Sequence, residues 1–592
     1  MIGYIDNTQV TFDENETVLN VARRHDIYIP TLCELADIDH TPGTCRVCLV
    51  EVLDDAGNTK LVTSCTTGMK EGLKIRTKTP TVRDARRLQV ELLLTDHNQN
   101  CIACSRHGDC ELLDVGYAVG VSETSFGAGT LHTDRLLDTS SHGIVRDMSK
   151  CIRCMRCKTI CQIVQGVDAL VFEGGGDKST INMRDNLPQG SSACITCGQC
   201  TLVCPTGALS VVDDTEQALD WLNDPEITTV VQFAPAVRIS LGEEFGIASG
   251  VNTEAKVITA LKRLGADIVV DTNFSADLVI MEEGSEFLQR FSAQGATPNS
   301  DQGTEQSKLP MFTSCCPGWV NYIEINHPDL LSHLSSTKSP QQCLGAIAKT
   351  YMAQRMAINP KQIRTIAIMP CTAKKDECQR PETEQDFGKE IDAVLTTREL
   401  ADLLRRQKID FANLLDSEFT DPLMGEYSGA GALFGSTGGV MEAAIRTVHK
   451  VLTGDELEGI EFTPVRGMAN LREATITLDD GTCIRAAVCH GIGTARSILE
   501  DIKKGKSNYD FVEVMACPGG CISGGGQPSQ KGRYQTTRNA RIRGIYSIDK
   551  KKTVRQSHNN KQIQKLYDTF LEHPSSAIAH ELLHTTYSDR SR

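Results

Sequence analysis

The spacing of cysteine constrains this chain more than any other feature. Two runs, Cys151-x2-Cys154-x2-Cys157-x3-Cys161 and Cys194-x2-Cys197-x2-Cys200-x3-Cys204-Pro205, repeat one ligand pattern. In that spacing each run gives three thiolates to one [4Fe–4S] cluster and its fourth to the other. The sequence therefore predicts one cluster on Cys151, Cys154, Cys157 and Cys204, and a second on Cys194, Cys197, Cys200 and Cys161. Eight core cysteines falling at this spacing by chance is the bland alternative, and the pattern is too regular for it.

Of 24 cysteines, 15 lie before residue 205. The start, MIGYIDNTQVTFDENETVL, lacks a basic stretch followed by an apolar run, and no segment approaches the roughly 18 consecutive apolar residues of a membrane span. A cytoplasmic location is expected, where cysteines bind metal more often than they cross-link. Cys33, Cys45, Cys48 and Cys65 suit a [2Fe–2S] centre, with tetrahedral zinc as the alternative. His97, Cys101, Cys104 and Cys110 form H-x3-C-x2-C-x5-C, which could hold zinc or a [4Fe–4S] cluster with one histidine ligand. The neighbouring cluster motifs favour iron.

A chain of 592 residues divides into about three to five domains. Residues 1–78 alternate short β-runs at 2–5, 9–12, 47–52 and 61–63 with a helix near 17–25, the pattern of a β-grasp [2Fe–2S] ferredoxin-like module. Residues 79–120 read as a [4Fe–4S] module with one histidine and three cysteine ligands, helical over 81–95, and 140–210 as a two-[4Fe–4S] ferredoxin module. From 225 to 550, β-runs at 228–233, 267–271, 278–282, 365–369 and 512–515 alternate with amphipathic helices, predicting an α/β catalytic domain on a parallel sheet. The whole is an α+β multidomain protein. The polar stretch 293–309 reads as an exposed loop, and 551–592 as a helical segment wrapping the surface. A net charge of −15 argues against nucleic-acid binding and suits solubility or a basic protein partner.

Three motifs remain: Thr313-Ser-Cys-Cys-Pro-Gly-Trp319, Met369-Pro-Cys-Thr-Ala-Lys-Lys-Asp-Glu377, and Glu513-Val-Met-Ala-Cys-Pro-Gly-Gly-Cys-Ile-Ser-Gly-Gly-Gly-Gln-Pro528. The last two follow expected strands, so their cysteines stand at strand ends, where α/β folds build sites. Together they offer Cys315, Cys316, Cys371, Cys517 and Cys521. Four thiolates satisfy a cubane, and one is left over.

Over essentially its whole length the sequence resembles the iron-only ([FeFe]) hydrogenases, including the large subunits of NAD(P)-linked complexes. The resemblance implies that Cys316, Cys371, Cys517 and Cys521 hold the [4Fe–4S] part of an H-cluster. Cys521 would bridge to a two-iron subsite carrying CO, cyanide and a dithiolate amine. It implies that Cys315 exchanges protons with that amine and that Glu283, Ser335 and Glu286 carry them outward, with Arg290 at the mouth. From pattern alone, Glu283 and Glu286 would be a solvated helix face. Lys374, Pro235 and Ser339 match groups that bond the cyanides; Met369, Phe434 and Met515 match the apolar wall. Ala236 stands where some relatives have serine.

The implied reaction is reversible H2 oxidation and proton reduction, coupled to ferredoxin or to an NAD(P)H-oxidising flavoprotein subunit in a hetero-oligomer. No strand-linked G-x-G-x-x-G or flavin motif appears, so any nicotinamide chemistry belongs to another chain. A cluster-bearing relay subunit of an NADH dehydrogenase and a non-catalytic hydrogen sensor are the alternatives; neither needs Cys315. The stretch from Phe570 to Tyr587 resembles a small subunit that some relatives encode separately, and His580 and His584 within it mimic a zinc pair lacking a third ligand. If the cluster set is complete, anaerobic metal analysis finds about 20 irons per loaded chain. Stoichiometric zinc with iron near half that figure would overturn the map.

Overall fold

The computed structural model describes the chain apart from residues 55, 122, 127–136, 294–307, 421–423, 458–460, 478–480, 531, 533 and 592. Most of the polar stretch 293–309 therefore lies outside the described residues. Contacts divide the chain into two units: residues 1–162, 168–192 and 203–210 form the smaller, and 163–167, 193–202 and 211–592 the larger.

In the smaller unit, strand Ile2–Ile5 alternates exposed and buried residues, which half-buried sheet requires. It pairs antiparallel with Thr8–Thr11 and parallel with Lys74–Arg76. Leu49–Leu53 and Thr59–Thr63 complete the five-stranded sheet. Helix Val18–Arg24 starts where Thr17 accepts the Asn20 amide, and it buries Val18, Val21 and Ala22 against Ile5, Val50 and Ile75. The next helix, Pro80–Thr95, is set by Thr79 as cap and proline in its first turn.

The larger unit holds two four-stranded sheets. The first runs Ile268–Asp271, Thr228–Phe233, Ile363–Met369, Ala393–Thr396, all parallel. The second runs Met311–Phe312, Phe511–Met515, Cys483–His490, Leu471–Thr477, with only the last pair antiparallel. Strands ending at Phe312, Met369 and Met515 are buried along their length and lead directly into the three cysteine motifs.

One expected strand is helix. Residues 278–282 belong to Thr272–Ala293, whose first nine residues are all buried. A helix buried on every side shows a continuous apolar run, and that run carries no period to separate it from a core strand.

Asp271, at the end of its strand, accepts from Arg238 at 2.9 and 2.7 Å; both side chains are fully buried. Arg238 also pairs with Glu254 and lies over the Phe233 and Tyr427 rings. Removing one member of a buried pair leaves the other's charge desolvated without compensation. Asp271→Ala should destabilise the larger unit by about 3 kcal/mol, the low end for such a loss because Glu254 remains. Both tryptophans, Trp221 and Trp319, lie in this unit, so urea unfolding followed by their fluorescence reads the change. An unaltered midpoint would show that Glu254 alone satisfies Arg238.

Candidate active site

The three motifs converge within the larger unit. Cys316 precedes helix Pro317–Asn326, with Pro317 in the first turn, and its Sγ accepts the Ala516 amide at 3.4 Å, joining the first motif to the third. Burial raises the Cys517 thiol well above its ordinary range, and the charges of Cys371, Cys316 and Cys521 raise it further. Burial likewise raises Cys316, Cys521 and Cys371, the last to about 12. Four thiols this close and this dry cannot all ionise on their own; an iron group supplies the positive charge that makes them ligands. The donor set therefore fits an iron–sulfur cluster.

Glycine makes the enclosure. Gly520 has φ 92°, and a Cβ there would come within 2.6 Å of the Thr437 amide. A Cβ on Gly524 would strike the Pro370 carbonyl at 2.1 Å, so this loop packs backbone against backbone beside Cys371.

Lys374 follows Cys371 by three residues on the short helix Ala373–Glu377. Its Nζ donates to the Cys315 carbonyl at 3.2 Å and to Glu377 at 2.9 and 3.2 Å. Ser339 Oγ donates to the same carboxylate at 3.0 Å. Pro235 is buried beside Ala236, whose carbonyl accepts from Gln527 at 3.2 Å and from Ser240 at 2.7 Å. Phe434 and Met515 belong to the apolar cluster that packs Cys315 and Cys316, whereas Met369 sits in the core of the parallel sheet.

The carboxylates of the long helix do not form a solvated face. Glu283 is fully buried and Glu286 half-buried. Glu283 Oε1 accepts the Ser314 amide at 3.3 Å, while Oε2 has no hydrogen-bond partner among the described residues. Burial, then the charge of Glu286, pushes Glu283 from its ordinary 4.5 to about 8, and the Ser314 amide and Ser335 hydroxyl offset only part of the rise. Burial, then the charge of Glu283, holds the Cys315 thiol protonated. Glu286 accepts from Ser335 Oγ at 2.9 Å, from the Ser336 amide at 3.1 and 3.0 Å, and from Arg290 at 2.5 Å.

Two further side chains that the sequence assigned no role stand at this site. Gln199, between two cluster cysteines, donates to Cys517 Sγ at 3.3 Å and to the Ser523 carbonyl at 2.7 Å. Glu377 closes the second motif, and its spacing of three from Lys374 was the available signal.

In the smaller unit, Cys151, Cys154, Cys157 and Cys204 line one cavity with Ile152, Leu170 and Pro205. Cys33, Cys45, Cys48 and Cys65 are all buried, with Cys48 and Cys65 Sγ 3.4 Å apart. His97 is buried, and desolvation lowers its pKa, favouring the neutral imidazole a ligand needs. Cys101 is exposed; Cys104 and Cys110 are half-buried. One apolar cluster contains Cys33, Cys45 and Cys154 and packs Cys110. His40 is held there between the Cys154 carbonyl and Thr159, each at 2.9 Å. Cys161 belongs to the smaller unit, and Cys194, Cys197 and Cys200 to the larger. Among the described residues no three metal-binding side chains take up single-ion geometry.

Family models match along the chain. They are a 2Fe-2S iron-sulfur cluster binding domain at 3–80, the iron-sulfur binding region of NADH-ubiquinone oxidoreductase-G at 86–125, and a 4Fe-4S dicluster domain at 147–208. The C-terminal domain of the iron only hydrogenase large subunit follows at 227–525, and the iron hydrogenase small subunit at 535–590. With iron–sulfur modules ahead of a cysteine-lined α/β site, the chain belongs to the iron-only hydrogenase family. It is similar to NADP-reducing hydrogenase subunit HndD of Solidesulfovibrio fructosivorans, at 42% identity over 99% of both chains. It is also similar to iron hydrogenase 1 of Clostridium pasteurianum, at 39% over 98% and 99%. The solved [FeFe]-hydrogenase HydA1 from Chlamydomonas reinhardtii matches at TM-score 0.57 and 39% identity, covering 64% of this chain and 100% of its own. Within the family this is a multi-cluster [FeFe] hydrogenase, an enzyme with iron–sulfur relay domains attached.

A carboxyl that keeps its proton to about pH 8 when folded, but loses it near 4.5 in the open chain, makes the folded state proton-richer between those values. Stability therefore falls as pH rises across that window. Anaerobic urea unfolding should show Glu283→Gln flattening this part of the pH dependence. An unchanged slope would mean that Glu283 titrates as an ordinary carboxylate.

Proposed function

We propose that this hydrogenase interconverts dihydrogen with protons and electrons at an H-cluster held by Cys316, Cys371, Cys517 and Cys521, with Cys521 shared with the two-iron subsite and CO, cyanide and a dithiolate amine completing it. When bound, that group supplies an open metal position where dihydrogen is polarised and electrons are taken up. Lys374 and Ser339, both held by Glu377, and the Pro235–Ala236 backbone would supply the polar contacts to the cyanides. Phe434 and Met515 keep water from the apolar side, and Met369 anchors the strand that presents Cys371.

The observation that carries the reading is the fifth thiol. Cys315 is half-buried and protonated beside Glu283, a neutral carboxyl with an unpartnered oxygen. During oxidation Glu283 first gives up its own proton by way of Ser335 Oγ to the Glu286 carboxylate, which releases it past Arg290; Cys315 then hands its proton to the emptied Glu283 carboxylate and is free to take the next one on Sγ. Production runs the same atoms in reverse. A pKa near neutrality lets Glu283 accept and release without a deep trap on either side.

Electrons travel through a [2Fe–2S] cluster on Cys33, Cys45, Cys48 and Cys65 and three accessory [4Fe–4S] clusters: the His97 set, the Cys151 set and the Cys194 set. Likeness to an NADP-reducing hydrogenase subunit supports a flavoprotein partner that oxidises NAD(P)H, with ferredoxin as the other donor class. We place the enzyme in the cytoplasm; among the described residues no helix is long and apolar enough to cross a membrane. A relay-subunit reading accounts for residues 86–125 but gives Cys315 and the glycine-rich loop no purpose.

Replacing Cys315 with alanine should leave iron content and CO infrared bands intact. Hydrogen turnover should fall by at least about 10²-fold, the low end of what a positioned acid–base group contributes. Aspartate there should restore part of it. Near-normal turnover of the alanine variant with an intact cluster would overturn the proton role.

A further inference from the structure

The site's outer carboxylate is held by residues far away in the chain. Glu282 adjoins Glu283 on the long helix, yet its fully buried carboxylate faces the C-terminal segment. It accepts from Tyr567 Oη at 2.5 Å and from the Ser575 amide at 2.8 Å, and it stands 3.2 Å from His584 Nε2. With one ring nitrogen of His584 turned to this carboxylate, the other is left to face the opposite way. At 2.8 Å, Nδ1 meets Ser336 Oγ. Carboxylate, imidazole and hydroxyl thus form a hydrogen-bonded line ending on Ser336, the residue whose amide grips both oxygens of Glu286.

The backbone repeats this grip. Thr585 donates to the Ser336 carbonyl at 2.8 Å and Lys338 to the Leu583 carbonyl at 2.7 Å. Tyr587 Oη donates to the Ser335 carbonyl at 2.6 Å. His580, exposed, stacks on His584 with ring centres 4.8 Å apart. The histidine pair that resembled a zinc motif is thereby accounted for as packing and hydrogen bonding.

We infer that Glu282, His584 and Tyr587 are positioning residues that set Ser335 and Ser336 against Glu286, so that the C-terminal segment fixes the geometry of the outer proton relay. This rests on the relay proposed above. Residues 335–338 form an irregular stretch anchored on one side by the Phe312 carbonyl and Ser314 Oγ, and the C-terminal segment supplies the grip on the other. Proton transfer falls steeply once that distance opens.

The test uses the maturated full-length enzyme under anaerobic conditions. His584→Gln keeps an N–H for Glu282 but gives up Ser336; Tyr587→Phe removes one hydroxyl; Glu286→Gln removes the relay carboxylate. For each, iron, CO bands, dye-linked turnover against pH, and amide hydrogen exchange at 335–338 are measured. We expect both tail variants to keep iron, CO bands and the KM for the dye, with faster exchange at 335–338. Turnover should be about 10- to 100-fold lower, the range that misplacement of a reacting group produces. His584→Gln placed on Glu286→Gln should add no further loss, because it acts through that carboxylate. Normal turnover and exchange in both tail variants, with Glu286→Gln impaired, would overturn the positioning role and leave the relay standing. Additive losses in the double variant would overturn action through Glu286. Normal turnover in Glu286→Gln would overturn the relay itself.

Discussion

The crowding of four cysteine sulfurs from three separate motifs is the constraint around which the larger unit is organised. Cys316, Cys371, Cys517 and Cys521 come from three strand ends and sit close enough for each to raise its neighbours. Water cannot offset that repulsion inside a closed core, and Lys374 supplies a single compensating charge that Glu377 already shares. A cationic inorganic group would let all four ionise together, as the proposed cluster requires. The parallel strands bring the cysteines together, and the glycine-rich loop lets the backbone close around the space.

The same dry interior gives the proton path its character. In water Glu283 would be an ordinary carboxylate; burial makes it neutral near physiological pH. Its neighbour Glu286 stays tied to Arg290 and to donors from 335–336. The two carboxyls of the proposed path therefore differ in their surroundings, one dry and short of partners and the other ringed by donors, although the side chains are chemically identical. Environment assigns them distinct roles.

Much of this was legible because metal ligands obey spacing rules that folding does not blur. The eight ferredoxin-type cysteines, the histidine set and the three late motifs could be found without knowing any tertiary contact. The helix at 272–293 was harder, since complete burial erased its amphipathic period over 278–282. Glu282 and Gln199 stayed hidden for another reason: each acquires its partner across hundreds of residues, and nothing local distinguishes it from an ordinary polar side chain, while His584 stood out only as half of a zinc-like pair. Glu283 and Glu286 became readable only through family resemblance, since spacing alone fits a wet surface equally well.

The segment 193–202 bears on how such enzymes can be taken apart and rebuilt. It carries three cluster cysteines, yet it packs with the catalytic unit. Thr196 accepts from Thr372, Arg398 reaches Thr201, and Ile195 shares a core with Trp319. A Cβ on Gly525 would fall 2.4 Å from the Cys197 carbonyl. Wire and catalyst are thus spliced rather than joined end to end. Chimeras that exchange the electron-carrying modules should keep residues 193–202 with the catalytic unit they pack in.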